Sequence, residues 1–171
     1  VKKMILRGRG LSSWAPSPRW YSTLELLDLG KNDLTELPPE IGCCLRLKVL
    51  EASNNRLVGL PREVENLQEL EMVGVNANLF QEFPCVLLRL KSLEWLIMGA
   101  SAISSLPQGI SALEGLRVLD LNGNRIRELP TELESLPRLE HLDLRRNPLP
   151  TCQVLNFRRR RPDVEVLFEC P

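Results

Sequence analysis

Leu24, Leu47, Leu70, Leu93, Leu116 and Leu139 stand 23 residues apart, with no insertion or deletion between them. Aligned at this period the chain reads L-x-x-L-x-L-x-x-N-x-L-x-x-L-P, and the register runs back to Val1. A unit this short cannot bury its apolar side chains alone. It makes a core only by stacking on its neighbours, so the period dictates a solenoid. About seven units are expected over residues 1–150, starting at Val1, Leu24, Leu47, Leu70, Leu93, Leu116 and Leu139, with residues 151–171 as a C-terminal cap.

Inside each unit the pattern changes period. Val118-Leu119-Asp120-Leu121-Asn122 alternates as a strand does, sending Leu119 and Leu121 inward and the other three outward. Leu27/Leu29, Leu50/Ala52, Val73/Val75, Leu96/Met98 and Leu142/Leu144 repeat the inward pair. Equivalent strands run the same way, which makes the sheet parallel and the crossovers right-handed. Seven strands at about 4.8 Å each give a concave face roughly 30 Å long. Asn32, Asn55, Asn78, Asn124 and Asn147 occupy the ninth place, where the chain leaves the strand and an amide can satisfy turned-in backbone groups. Ser101 replaces asparagine in one copy and should loosen that ladder. The outer half reads L-P-x-x-I-x-x-L: proline opens a helical turn and apolar residues three apart face the core, with Cys44 in a core place.

The 23-residue L-P-x-x-I-x-x-L motif resembles the leucine-rich repeat family, in its intracellular Ras-signalling and plant-intracellular version. The resemblance implies an α/β horseshoe with a parallel concave sheet and short helical turns outside. It also implies a binding scaffold, acting in signalling assemblies or as the substrate-recognition module of a ubiquitin ligase, without selecting between them.

The two ends depart from the pattern. Val1, Met4, Leu6 and Leu11 keep the first strand, but Arg9 replaces asparagine and WAPSPRWYST is irregular. Val1 already fills the first motif position, so the chain is expected to be part of a longer one. Lys3 and Arg7 flank Ile5 on the outward face, and such charge discourages edge pairing. At the other end Val154, Leu155 and Phe157 are expected in a final helical turn, and Val164, Val166 and Phe168 in a short strand.

Composition narrows the function. Formal net charge is zero, which gives no global attraction to nucleic acid or anionic membranes, and no apolar run approaches a membrane span. Cys43, Cys44, Cys85, Cys152 and Cys170 are odd in number and show no zinc-ligand or disulfide framework. Free thiols in the cytoplasm or nucleus are the first expectation. A secreted or cell-surface ligand-binding protein closed by a Cys152–Cys170 bridge is the alternative. His141, the single histidine, has only Cys152 plausibly within reach and no third orienting residue, and there is no phosphate loop. The chain therefore reads as non-catalytic, without cofactor or metal, and monomeric.

Because scaffold places repeat, the informative residues are the outward ones at the third, fifth, seventh and eighth places. Met72, Trp95 and Ile97 fall on adjacent strands, with Gly74, Ala77, Gly99 and Ala100 expected to leave space around them. A solvent-facing tryptophan beside glycines suits an interface anchor. Asp28, Glu51, Asp120 and Asp143 flank that centre as solvated charges or contacts for a basic partner, so Asp120→Ala should barely change stability. The expected partner-binding set is thus Met72, Gly74, Trp95 and Ile97, with Glu51 and Asp120 on the rim. A second, phosphate or acidic-ligand reading rests on Arg145, Arg146, Arg158, Arg159, Arg160 and Arg161.

Overall fold

Eight three-residue strands form one sheet: β1 Lys3–Ile5, β2 Leu26–Asp28, β3 Val49–Glu51, β4 Met72–Gly74, β5 Trp95–Ile97, β6 Val118–Asp120, β7 His141–Asp143 and β8 Glu165–Leu167. The computed structural model describes residues 1–170. The strands lie in chain order and every neighbouring pair is parallel. The central residue of each interior strand, from Leu27 through Leu50, Val73, Leu96 and Leu119 to Leu142, is buried. Alternation at period two therefore sends one side chain in and its two neighbours out, as the sequence requires.

On the convex side each repeat makes a short 3₁₀ turn: Pro39–Cys43, Arg62–Asn66, Cys85–Arg89, Gln108–Ala112 and Thr131–Ser135. Pro38, Pro61, Pro84, Pro107 and Pro130 stand just before these turns in extended geometry, one residue earlier than a helix-opening proline would. There the proline carbonyl accepts the first bond of the turn, as from Ile41 N–H to Pro38 O at 3.0 Å. Ile41, Val64, Leu87, Ile110 and Leu133 then point into the core. Cys44 is buried with them, and burial, with Cys43 adding to it, pushes its thiol up to about 11.

The asparagines form the ladder. Asn55 Nδ2 donates to Leu29 O at 2.9 Å and to Ala52 O at 3.0 Å, while its Oδ1 accepts from Leu34 N–H at 3.0 Å. One side chain thus ties two adjacent repeats through backbone groups that would otherwise be buried unpaired. Asn78, Asn124 and Asn147 repeat the arrangement. At the interrupted rung Ser101 Oγ instead donates to Asn78 O at 3.1 Å, and it is too short to reach where an amide would meet Phe80 N–H. Ser101→Asn should therefore raise stability by about 1 kcal/mol in urea melts, the worth of one restored bond. No change would show that the rung is already satisfied.

The eighth place faces solvent, as expected, and is also a turn position. Lys31, Asn54, Ala77, Ala100 and Arg146 all have φ between 51 and 56°, and Gly8 and Gly123 stand there at 66 and 67°. This left-handed geometry bends the chain from strand to ladder, so Ala77 and Ala100 are held by the backbone turn.

The C-terminal segment differs from the expected single turn. Helix α1, Thr151–Arg160, runs ten residues, burying Val154 and Phe157 but leaving Leu155 exposed. Leu155 lies in the helix, as expected, but one residue out of phase with its buried face. The chain then returns as β8, with Val164 and Val166 buried. Arg161 fastens this segment to the preceding repeat, donating to Glu134 O, Leu136 O and Leu139 O and to the Asp163 carboxylate. That bond holds the Asp163 carboxyl below its ordinary range, as Arg117 does for Glu140. A carboxyl whose folded pKa is depressed adds stability above its unfolded pKa and loses it as pH falls through the folded value. Stability should accordingly fall as pH drops below about 4. Glu140→Gln with Asp163→Asn should flatten part of that slope in urea melts taken from neutral to acid pH; an unchanged slope would assign the acid loss to other groups.

Candidate binding face

The concave face is built by the third- and fifth-place rows. Sheet register sets Met72 beside Trp95, Trp95 beside Val118, Gly74 beside Ile97 and Ile97 beside Asp120. Met72, Trp95, Ile97, Gly74, Glu51 and Asp120 therefore occupy adjoining strands, as expected. Trp95 is 43% exposed, and among the described residues it is the exposed large apolar side chain on β2–β7. Met72 and Ile97 are half-buried beside it.

The glycines do not open a space around the tryptophan. A side chain at Gly74 would run into the Glu51 carboxylate, and one at Gly99 would meet Asn122 Nδ2 at 2.6 Å and Asn122 O at 2.8 Å. Both glycines are buried because polar side chains of neighbouring repeats fold over them. The patch is thus a low apolar surface floored by packed polar groups rather than a set of empty recesses.

The acids have a structural task that the sequence alone did not reveal. Asp28 Oδ1 accepts from Gly30 N–H at 2.8 Å, Glu51 Oε1 from Ser53 N–H at 2.8 Å, Asp120 Oδ1 from Asn122 N–H at 2.9 Å and Asp143 Oδ1 from Arg145 N–H at 3.1 Å. Each fifth-place carboxylate closes the end of its own strand two residues on. The signal was present in the spacing, since short acids cap local N–H groups, but it was masked by their outward direction. Asp120 also accepts from Asn122 Nδ2 at 2.6 Å, so its removal costs more than a surface charge would.

The six arginines do not form one patch. Arg145 holds Asp143 at the end of β7, Arg158 Nη2 donates to Val166 O at 2.7 Å, and Arg160 meets Glu134 at 3.1 Å beneath the convex turns. With Arg161 tied to three carbonyls, only Arg146 and Arg159 have no side-chain partner among the described residues. His141 Nδ1 lies 2.5 Å from Glu165 Oε2 on the concave surface. The five cysteines are free thiols, with Cys170 Sγ 3.3 Å from Thr151 Oγ1. No group of three metal-ligating side chains occurs among the described residues, and no helix is long and apolar enough to cross a membrane. Four exposed apolar residues, Leu45, Val58, Leu79 and Leu167, escaped the sequence reading. Val58 and Leu79, on the flank beyond the asparagines, stand where other repeats carry Arg127 or Asp33.

Leucine rich repeat family models match residues 91–149 and 23–45, and the parallel ladder with its asparagines runs through both. The fold is a leucine-rich repeat solenoid. A leucine-rich repeat protein of Leptospira interrogans is 28% identical, with a TM-score of 0.81, over 97% of this chain and 48% of its own. The Arabidopsis receptor kinase HAESA, solved with the peptide hormone IDA and the co-receptor SERK1, is 32% identical, with a TM-score of 0.66, over 74% of this chain and 22% of its own. An internalin of Listeria monocytogenes is 23% identical, with a TM-score of 0.75, over 85% of this chain and 41% of its own, a likeness of fold alone. The repeats here thus span about half the length of the Leptospira protein and about a fifth of the receptor. The comparison with curated proteins gives no match.

Proposed function

We propose that the repeats are a non-catalytic scaffold whose concave sheet binds a protein partner centred on Trp95. The observation that carries this reading is the exposure of Trp95 in the middle of the sheet, with Met72 beside it on β4 and Ile97 two residues along its own strand. A large, stiff aromatic held on a rigid strand gives contact area at little entropic cost. Glu51 and Asp120 are pinned by backbone bonds at the rim and still present negative charge, which suits a partner with basic residues around an apolar anchor. The complex of HAESA with a peptide hormone and a co-receptor supports a protein ligand for this kind of fold. The unbroken 23-residue period supports the intracellular subgroup, and with it a cytoplasmic or nuclear scaffold in signalling or substrate recognition.

Affinity capture from cell extract with wild type and Trp95→Ala in parallel tests the reading. A partner held by wild type should be lost from Trp95→Ala, because truncating a buried anchor costs about 2 kcal/mol or more. Asp120→Asn keeps an acceptor for Asn122 N–H and removes only charge, so it should slow association at low salt and not at high salt. Equal capture by wild type and Trp95→Ala would remove the concave patch from consideration.

A further inference from the structure

The third place of the repeat forms one apolar row across the sheet. Register sets Leu26 beside Val49, Val49 beside Met72, Met72 beside Trp95 and Trp95 beside Val118, one residue on each of β2 to β6. Trp95 is exposed and the other four are half-buried. Polar residues stop the row at both ends, Lys3 on β1 and His141 on β7. Four strand spacings of about 4.8 Å make the row about 19 Å long.

Acids border the row on both sides. Toward the strand ends stand the fifth-place Glu51 and Asp120, whose carboxylates are bonded to backbone N–H groups rather than to a cation among the described residues. On the residue before each strand, from β2 to β7, stand Glu25, Glu71, Glu94 and Glu140, against Lys48 and Arg117 as the cations of that row. An apolar strip thus runs between two margins of net negative charge.

We infer, resting on the concave-face reading above, that the partner lays a basic amphipathic α-helix along this row, across β2 to β6, with one apolar residue on each strand. A helix returns the same face every turn of about 5.4 Å, about 0.6 Å more than the strand spacing, a difference that side chains absorb. An extended chain repeats a face about every 6.8 Å and slips out of step within two strands. A polyproline II chain repeats about every 9.3 Å and meets alternate strands only. The row is apolar on every strand, which matches the helix. At about 1.5 Å per residue the row takes about 13–15 residues, with apolar side chains at i, i+3 or i+4, i+7 and onward. A helix about 10–12 Å across overhangs both margins. Lysine or arginine on its flanks then faces Glu71 and Glu94 on one side and Glu51 and Asp120 on the other. Existing pairs there are solvent-exposed and long, Lys48 to Glu71 at 3.9 Å and Arg117 to Glu94 at 3.6 Å, so exchanging them costs little.

Fluorescence anisotropy on the 171-residue protein tests this with labelled synthetic peptides of about 15 residues. The first peptide carries leucine at helical spacing, lysine on both flanks and alanine elsewhere. A second has the same composition with leucine at alternate places, and a third replaces each lysine of the first by glutamate. The first should bind about tenfold or more tighter than either of the others at low salt, and its helical circular dichroism should rise on binding. Trp95→Ala should weaken it about tenfold or more, and Val49→Thr with Val118→Thr, which keeps shape and strand propensity, several-fold. Glu51→Gln with Asp120→Asn keeps both local acceptors and should weaken it several-fold at low salt only. An alternating or acidic peptide that binds as tightly as the first would overturn the helix. So would a first peptide that does not bind, or one indifferent to any of these substitutions. In each case, loss or retention of the captured partner by Trp95→Ala still decides the concave-face reading by itself.

Discussion

Leu119→Ala is expected to lower unfolding free energy by about 2–5 kcal/mol, because the side chain is fully buried in the stack and its removal leaves a cavity. The adjacent Asp120→Ala is expected to cost about 1 kcal/mol, since it strips the acceptor from Asn122 N–H at the end of β6. Urea melts of the two variants give the comparison. The larger loss at Leu119 fixes which face of β6 is inward, and equal losses would put the assignment one residue out. A loss near zero at Asp120 would return that acid to the role of a free surface charge.

Asn124→Ala carries the second large effect. Its side chain accepts from Ile103 N–H at 3.1 Å and donates to Met98 O and Leu121 O at 3.0 Å. Alanine leaves the Ile103 donor buried without a partner, while Leu121 O keeps a bond from Asn147. The expected cost is about 2–4 kcal/mol, more than a typical single hydrogen bond because orphaned buried groups bear their full desolvation penalty. Hydrogen exchange should show faster exchange at Ile103 N–H. A variant as stable as wild type would mean that water replaces the rung and that the ladder adds little. The interrupted rung at Ser101 is the natural counterpart of this substitution, and it persists because its neighbours at Asn78 and Asn124 remain complete.

Most of the fold was legible in the sequence because one period fixes every strand at once. Leu27, Leu50, Leu96 and Leu119 are buried where alternation sets them, and the asparagines bond where the turn demands it. What escaped were features that depend on local backbone geometry rather than on period. The eighth place accepts Lys31, Ala77, Ala100 and Arg146, so its identity gave no sign that the chain turns left-handed there. The fifth-place acids point outward as read, yet curl back to their own strand ends. Beyond residue 150 the period stops, and the segment had to be read from short apolar patterns. Hence a single turn around Val154, Leu155 and Phe157 was expected, whereas α1 runs ten residues and leaves Leu155 in solvent. At the candidate face the cluster of Met72, Trp95 and Ile97 was readable, but the filling of the space over Gly74 and Gly99 by Glu51 and Asn122 required the neighbouring repeats in three dimensions.

The central claim is that the concave patch, not the C-terminal arginines, holds the partner. Its most direct test is an equilibrium titration of the captured partner against Trp95→Ala and against Arg146→Glu with Arg159→Glu, which reverses the two arginines free of internal bonds. A loss of about 2 kcal/mol, roughly thirtyfold in affinity, for Trp95→Ala with little change for the arginine pair is the predicted result. Unchanged affinity for Trp95→Ala together with abolished binding for the arginine pair would contradict it.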